Sequence, residues 1–221
     1  MMVEIEILSI QVGLPKTYNS PIQDGEDRSW ESGIFKFGID GPVLLGETNL
    51  VGDGQADLRV HGGPDRALLL YSAENYPAWE ERFGRHLGYG SFGENFTVSK
   101  VTEHDVCLGD IWVSDEIKIE VSQPRLPCFK LARRLDRPGL NLEVVANRKG
   151  GWSARTLKRG HVQQGQKLTL ADRPNPTWTI DRAFHLYMTE KKNRAVLQEL
   201  CELPQLSTLW KESLSKRLAS S

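Results

Sequence analysis

The apolar residues of this chain change their period once, near residues 172–176, and that change limits the folds open to it. Before it, the spacing suits strands. Val3, Ile5, Ile7, the Leu8/Ile10 pair and Val12 follow an imperfect period of two, which predicts a strand with a bulge or with burial on both faces. Further short strands are predicted at 34–39, 42–45, 67–71, 95–98, 111–113, 117–121 and 166–170, punctuated by Gly, Pro or Asp. So many short strands point to a barrel or sandwich. Two helices should interrupt them. One is capped by Ser72 and carries Tyr76, Trp79 and Phe83; the other begins at Pro127 and carries Leu131 and Leu135.

Beyond Asp172-Arg173-Pro174-Asn175-Pro176 the spacing becomes helical. Ile180, Ala183, Phe184 and Tyr187 share one face, Val196, Leu197 and Leu200 a second, and Leu206, Leu209, Trp210 and Leu214 a third. The reading is a mainly β body with interspersed helices over 1–172 and a small C-terminal helical subdomain over 173–221. A tail of about 45 residues has too little core to be expected to fold alone, so it should pack on the body.

The chain has 221 residues, enough for a core without a disulfide framework. Cys107, Cys128 and Cys201 are odd in number and widely spaced, as for reduced thiols. The N-terminal residues lack a basic stretch followed by an apolar one, and no run approaches the roughly 18 apolar residues of a membrane span. A soluble, cytoplasmic protein is expected. The net charge of −1 argues against a nucleic-acid partner, but residues 122–161 hold ten Lys/Arg against two Asp/Glu. That segment is either a solvated face or an anion site.

Within it lies Ser122-Gln123-Pro124-Arg125-Leu126-Pro127-Cys128. A single cysteine is by default an inert buried thiol, a reading that suits Cys107 and Cys201. Two prolines in four residues instead hold the backbone so that one side chain is aimed. Arg125, Lys130 and a helix N-terminus around Cys128 all favour thiolate over thiol. In His61-Gly62-Gly63-Pro64-Asp65-Arg66 the glycines permit either a hairpin turn or close approach of backbone amides to a ligand, with His61 and Arg66 as added donors. Ser91-Phe92-Gly93-Glu94-Asn95-Phe96 reads as a turn or as a polar contact to a heteroaromatic ligand. Lys16 and Lys36 are either surface lysines or part of a site. Nucleotide-binding glycine motifs, H-E-x-x-H and iron–sulfur cysteine sets are absent from the sequence.

In order along the chain, Lys16, Ser32-Gly33-Ile34-Phe35-Lys36, Gly52-Asp53, His61-Gly62-Gly63-Pro64-Asp65-Arg66, Phe92-Gly93-Glu94-Asn95, Leu108-Gly109-Asp110 and the Cys128 segment through Leu131 resemble the signature of the MOSC family, named for the C-terminal domain of molybdenum-cofactor sulfurase. Leu206-Ser207-Thr208-Leu209-Trp210 and Ser215-Lys216-Arg217-Leu218 resemble its YiiM branch, the hydroxylaminopurine-resistance proteins. The resemblance implies a MOSC-like β-barrel and a molybdenum–pterin cofactor, with Cys128 as the metal ligand and catalytic residue. It implies a detoxifying reduction of N-hydroxylated compounds, here N-hydroxylated purines such as 6-hydroxylaminopurine. Lys16, Lys36, His61, Arg66, Arg125 and Lys130 then belong to the cofactor-binding set, and Asn95 contacts the pterin or the substrate. A soft thiolate suits a thiophilic metal, and the basic segment suits a phosphate.

With no flavin, nicotinamide or iron–sulfur motif in the sequence, electrons are expected from a separate reductase. Neither a nucleic acid nor a membrane is expected as a partner. Three other readings stay open: a sulfur-carrier or cofactor-handling protein using a persulfide on Cys128, a thiol hydrolase with His61 or His161 as base, and a cofactor-free binding domain.

Overall fold

Strand β1 (Glu4–Val12) buries Ile5 and Ile7, and a register shift between Ile7 and Ser9 then lets Ile10 reach the same core. The expected bulge is that shift. In the computed structural model the described residues are 3–21, 27–59, 61–190 and 193–220. After β1 come β2 (Lys16–Pro21), β3 (Asp27–Ser32), β4 (Phe37–Gly38), β5 (Val43–Leu45) and β6 (Leu68–Ser72). Helix α1 (Tyr76–Phe83) follows, then β7 (Phe96–Val98), β8 (Ile111–Val113), β9 (Lys118–Pro124), α2 (Phe129–Arg134) and α3 (Leu140–Asn147). The body ends with β10 (Trp152–Lys158), β11 (Gly160–Val162) and β12 (Lys167–Asp172), and the tail is α4 (Ile180–Thr189), α5 (Arg194–Glu202) and α6 (Thr208–Ser220).

Strands β12, β8, β9, β10, β6, β7 and β1 form a ring that the β1–β12 pairing closes, with β4 added beside β1. Closure leaves these seven strands without a free edge. All pairs in the ring are antiparallel except β6 with β7. The predicted mainly β barrel with a helical C-terminal part is the observed architecture.

Several local expectations need correction. The strand predicted at 34–39 shrinks to Phe37–Gly38, and ahead of it Gly33 packs so closely that a Cβ there would lie 2.1 Å from the carbonyl oxygen of Gly54. Ser72 caps a 3-10 turn (Ala73–Asn75), accepting from Glu74 N at 3.1 Å, and α1 starts only after it. The β2–β3 hairpin, β10, β11 and α3 are further elements that the apolar spacing does not predict. Helix α3 enters through Gly139, whose φ of +79° is left-handed.

The main core runs without interruption from the barrel into the tail. Trp112, Ile119, Val121 and Trp152 lie in one apolar cluster with Ile180, Leu197, Leu200, Trp210 and Leu214. A second cluster joins Tyr71, Trp79 and Phe92 to Leu131 and Leu135 of the α2 region and to Leu140 and Val144 of α3. Because the tail has no separate core, Leu200→Ala should destabilise the whole chain by about 2–5 kcal/mol. Urea unfolding followed by tryptophan fluorescence and by circular dichroism should give coincident transitions. A separate early helical transition would contradict the shared core.

Candidate active site

Strand β9 ends at Pro124, and the next residues line a cavity of about 670 Å³. Arg125 N donates to Gly151 O at 3.1 Å, which anchors the exit from the strand. Pro127 restricts Leu126, and Cys128 stays extended at φ −98°, ψ 164°. Helix α2 therefore begins at Phe129, with Cys128 as its N-cap, rather than at Pro127. Proline tolerates a first helical position but does not impose it. The helix is seated by Leu131 in the second core and by side chains reaching across to the 31–34 segment. Lys130 Nζ donates to Glu31 O at 2.7 Å, and Arg134 donates to Ile34 O.

Of the residues expected at a site, Cys128, Lys36, His61, Arg66, Asn95, Arg125 and Lys130 all line this cavity. Lys16 does not; it is exposed at the start of β2, opposite Ser32. Arg125 is the most telling. Its Nη2 donates to Phe92 O at 3.0 Å, whereas Nη1 is buried with no hydrogen-bond partner among the described residues. Burial lowers its pKa below the usual arginine value, opposed by Cys128, Tyr71 and Glu94. A buried guanidinium nitrogen without an acceptor is costly, so it marks a place for an anion.

Lys36 and Asn95 line the wall but are already occupied. Lys36 pairs with the buried Asp53, and its pKa falls below the ordinary lysine value because desolvation outweighs that carboxylate. Asn95 Oδ1 accepts from Leu69 N at 3.0 Å, and its Nδ2 donates to Asp53 at 2.9 Å and to Gln11 O at 3.2 Å. Both therefore shape the site from behind. Asp53, which sequence reasoning left without a role, also accepts from Gly13 N at 2.9 Å.

The His61 segment is no hairpin turn. Gly62 and Gly63 adopt φ of +80° and +82° and lead into a 3-10 turn, Pro64–Arg66, ahead of β6. Arg66 Nε donates back to Gly62 O at 2.9 Å. Asp65 turns away, accepting from Arg155 Nε at 3.0 Å and from Thr208 N at 2.8 Å, and so fastens this loop to β10 and α6. His61 is held below its ordinary pKa of 6.5, chiefly by burial and then by Lys130, Arg125 and Arg66. Gln123 and Ser153 also line the cavity, as does Leu209 from α6. Gln123 stood within the quoted motif, but no spacing links it to Leu209.

A model for the MOSC domain matches residues 57–169, and one described as YiiM-like, 3-alpha helix domain matches 178–221. This chain belongs to the MOSC family. It is 38% identical to the uncharacterized protein YflK of Bacillus subtilis, over 96% of this chain and 93% of that one. It is 32% identical to a protein named Reductase from Gibberella moniliformis, over 86% of this chain and 34% of that longer protein. The crystal structure of YiiM from Geobacillus stearothermophilus superimposes with a TM-score of 0.81 at 36% identity, covering 97% and 99% of the two chains. MOSC domains are generally molybdenum-cofactor-binding domains. The residues present fit such a group: a thiol for the metal, and an unpaired buried guanidinium nitrogen with further cations for a phosphate. No helix among the described residues is long and apolar enough to cross a membrane.

Asp53→Ala leaves the Lys36 ammonium buried without its counterion and should cost about 3–5 kcal/mol in urea unfolding, part of it recovered by adding Lys36→Met. The depressed pKa of His61 means that the unfolded chain binds the extra proton first as pH falls. Its contribution is complete above pH 6.5 and lost as pH drops towards the folded value, so His61→Gln should flatten the stability profile below pH 6.5. An unchanged slope would place the imidazole in an ordinary environment.

Proposed function

We propose that this chain is a molybdenum-cofactor-dependent reductase of N-hydroxylated compounds, with N-hydroxylated purines such as 6-hydroxylaminopurine as substrates. The observation that carries the reading is the shared cavity wall of the Cys128 thiol and the unpartnered Nη1 of Arg125. Cys128 binds the metal. Arg125, Arg66 and Lys130 would hold the phosphate, and Lys36 and Asn95, tied to Asp53, would support the cavity wall behind the group. When bound, the cofactor would supply the two-electron redox chemistry. Overall, the N–O bond breaks, two electrons and two protons are consumed, and the amine and water leave.

The protein's own part is position and charge. Burial, and after it Lys130, Arg125 and Arg66, lowers the pKa of His61, and an anion seated among those cations would offset their share. Loading the site would therefore raise the proton affinity of that imidazole. The electrons come from a separate reductase, since the sequence carries no nucleotide-binding or iron–sulfur motif. The name Reductase on a fungal relative three times the matched length supports the redox class.

Metal analysis after expression with an intact cofactor pathway tests the reading. Wild-type protein should retain molybdenum, and Cys128→Ala should lose it. Equal molybdenum in both would remove Cys128 as the ligand, and a persulfide on Cys128 without molybdenum would favour a sulfur carrier.

A further inference from the structure

One part of the cavity lies outside the cofactor-binding set. Gln123 and Ser153 are directly opposite each other on β9 and β10, so their side chains share a face. Both line the cavity, and each retains only 5% exposure. The Ser153 hydroxyl has no hydrogen-bond partner among the described residues, although its carbonyl accepts from Ser122 Oγ at 3.1 Å.

Gln123 is held from behind by the tail. Ser207, fully buried, donates through its hydroxyl to Gln123 Oε1, and its backbone N donates to Ser122 O at 3.0 Å. The same hydroxyl oxygen accepts from Trp210 N at 3.3 Å. Turning the amide over would leave the buried hydroxyl proton of Ser207 without an acceptor, so the oxygen end of Gln123 is fixed away from the cavity. Its Nε2 has only the adjacent Pro124 O, at 3.5 Å, which is too long to satisfy it. The amide thus presents a donor, beside a hydroxyl that can accept or donate. Leu209, two residues beyond Ser207, supplies an apolar surface to the same cavity.

We propose that the Gln123–Ser153 pair, oriented by Ser207, reads the nitrogen-bearing edge of a heteroaromatic substrate, with Leu209 against its ring, so that the helical tail sets specificity at a barrel site. This rests on the reductase reading above. Gln123 is the contacting residue, and Ser207 is a positioning residue acting through it. A ring nitrogen accepts from Gln123, and the neighbouring exocyclic N–H donates to Ser153. A carbocyclic hydroxylamine lacks the first of these contacts.

The test uses molybdenum-loaded full-length protein driven by dithionite-reduced methyl viologen, with 6-hydroxylaminopurine and N-phenylhydroxylamine as alternative substrates. Gln123→Glu replaces the donor with an acceptor of the same shape. It should lower the purine-to-phenyl ratio of kcat/KM about tenfold, mainly through KM for the purine. Ser207→Ala, which frees the amide to turn, should lower it in the same direction, and Ser207→Thr should restore it. Adenine, which cannot be reduced, should bind about tenfold more weakly to Gln123→Glu by calorimetry. An unchanged ratio in both variants overturns the proposal, as does loss of molybdenum from Gln123→Glu, which would make the residue a cofactor contact. Loaded wild-type protein that reduces neither compound instead defeats the reductase reading itself.

Discussion

A carboxylate with no solvent exposure needs donors on every side, and Asp53 draws its donors from across the sequence. Its oxygens accept from the backbone of Gly13 just beyond β1, from Lys36 ahead of β4, and from Asn95 at the entrance to β7. Asn95 passes the connection on to Leu69 in β6. Three connections that would otherwise be free to choose their paths are therefore pulled to one point. The cavity is the space left beside that point, and its wall is stiff because each polar atom of Asn95 already has a partner.

The cysteine side of the cavity depends on packing as well as on the bonds from Lys130 and Arg134 to the 31–34 segment. Leu131 lies in a cluster with Tyr71, Trp79 and Phe92, and this holds α2 so that its N-cap, Cys128, meets the cavity. The tail also contributes to the cavity lining, through Leu209. Asp65 bonds to Thr208, Ser207 bonds to Ser122 and Gln123, and Trp210 lies in the barrel's own core. A helical segment that looks like an appendage is thus part of the site's frame.

Basic residues clustered in sequence are dispersed by these contacts. Of the ten cations between 122 and 161, Arg155 pairs with Asp65 and Glu120, Arg148 with Asp181, and Arg137 with Glu143. Arg125 and Lys130 alone among the ten line the cavity, where Lys36, His61 and Arg66 join them from elsewhere. The positive field at the site is assembled by folding, and a linear count of charge overstates what that one segment contributes.

The bulged first strand, the change to helical spacing after residue 172 and the proline-braced cysteine could be read directly, because each is a local consequence of backbone sterics or side-chain alternation. The ordered motifs carried the family. The hairpin of β2 and β3 and the helix α3 could not be read, since tertiary contacts rather than apolar period maintain them. The sequence by itself determined a barrel-forming pattern, three amphipathic tail helices and a thiol in a basic setting. Only the tertiary structure decided that Lys36 and Asn95 are bound to Asp53, that Lys16 is exposed and does not line the cavity, that Arg125 keeps a nitrogen unpaired and that Leu209 reaches the cavity. Each depends on which distant residue arrives as a partner, and local sequence does not encode that distance.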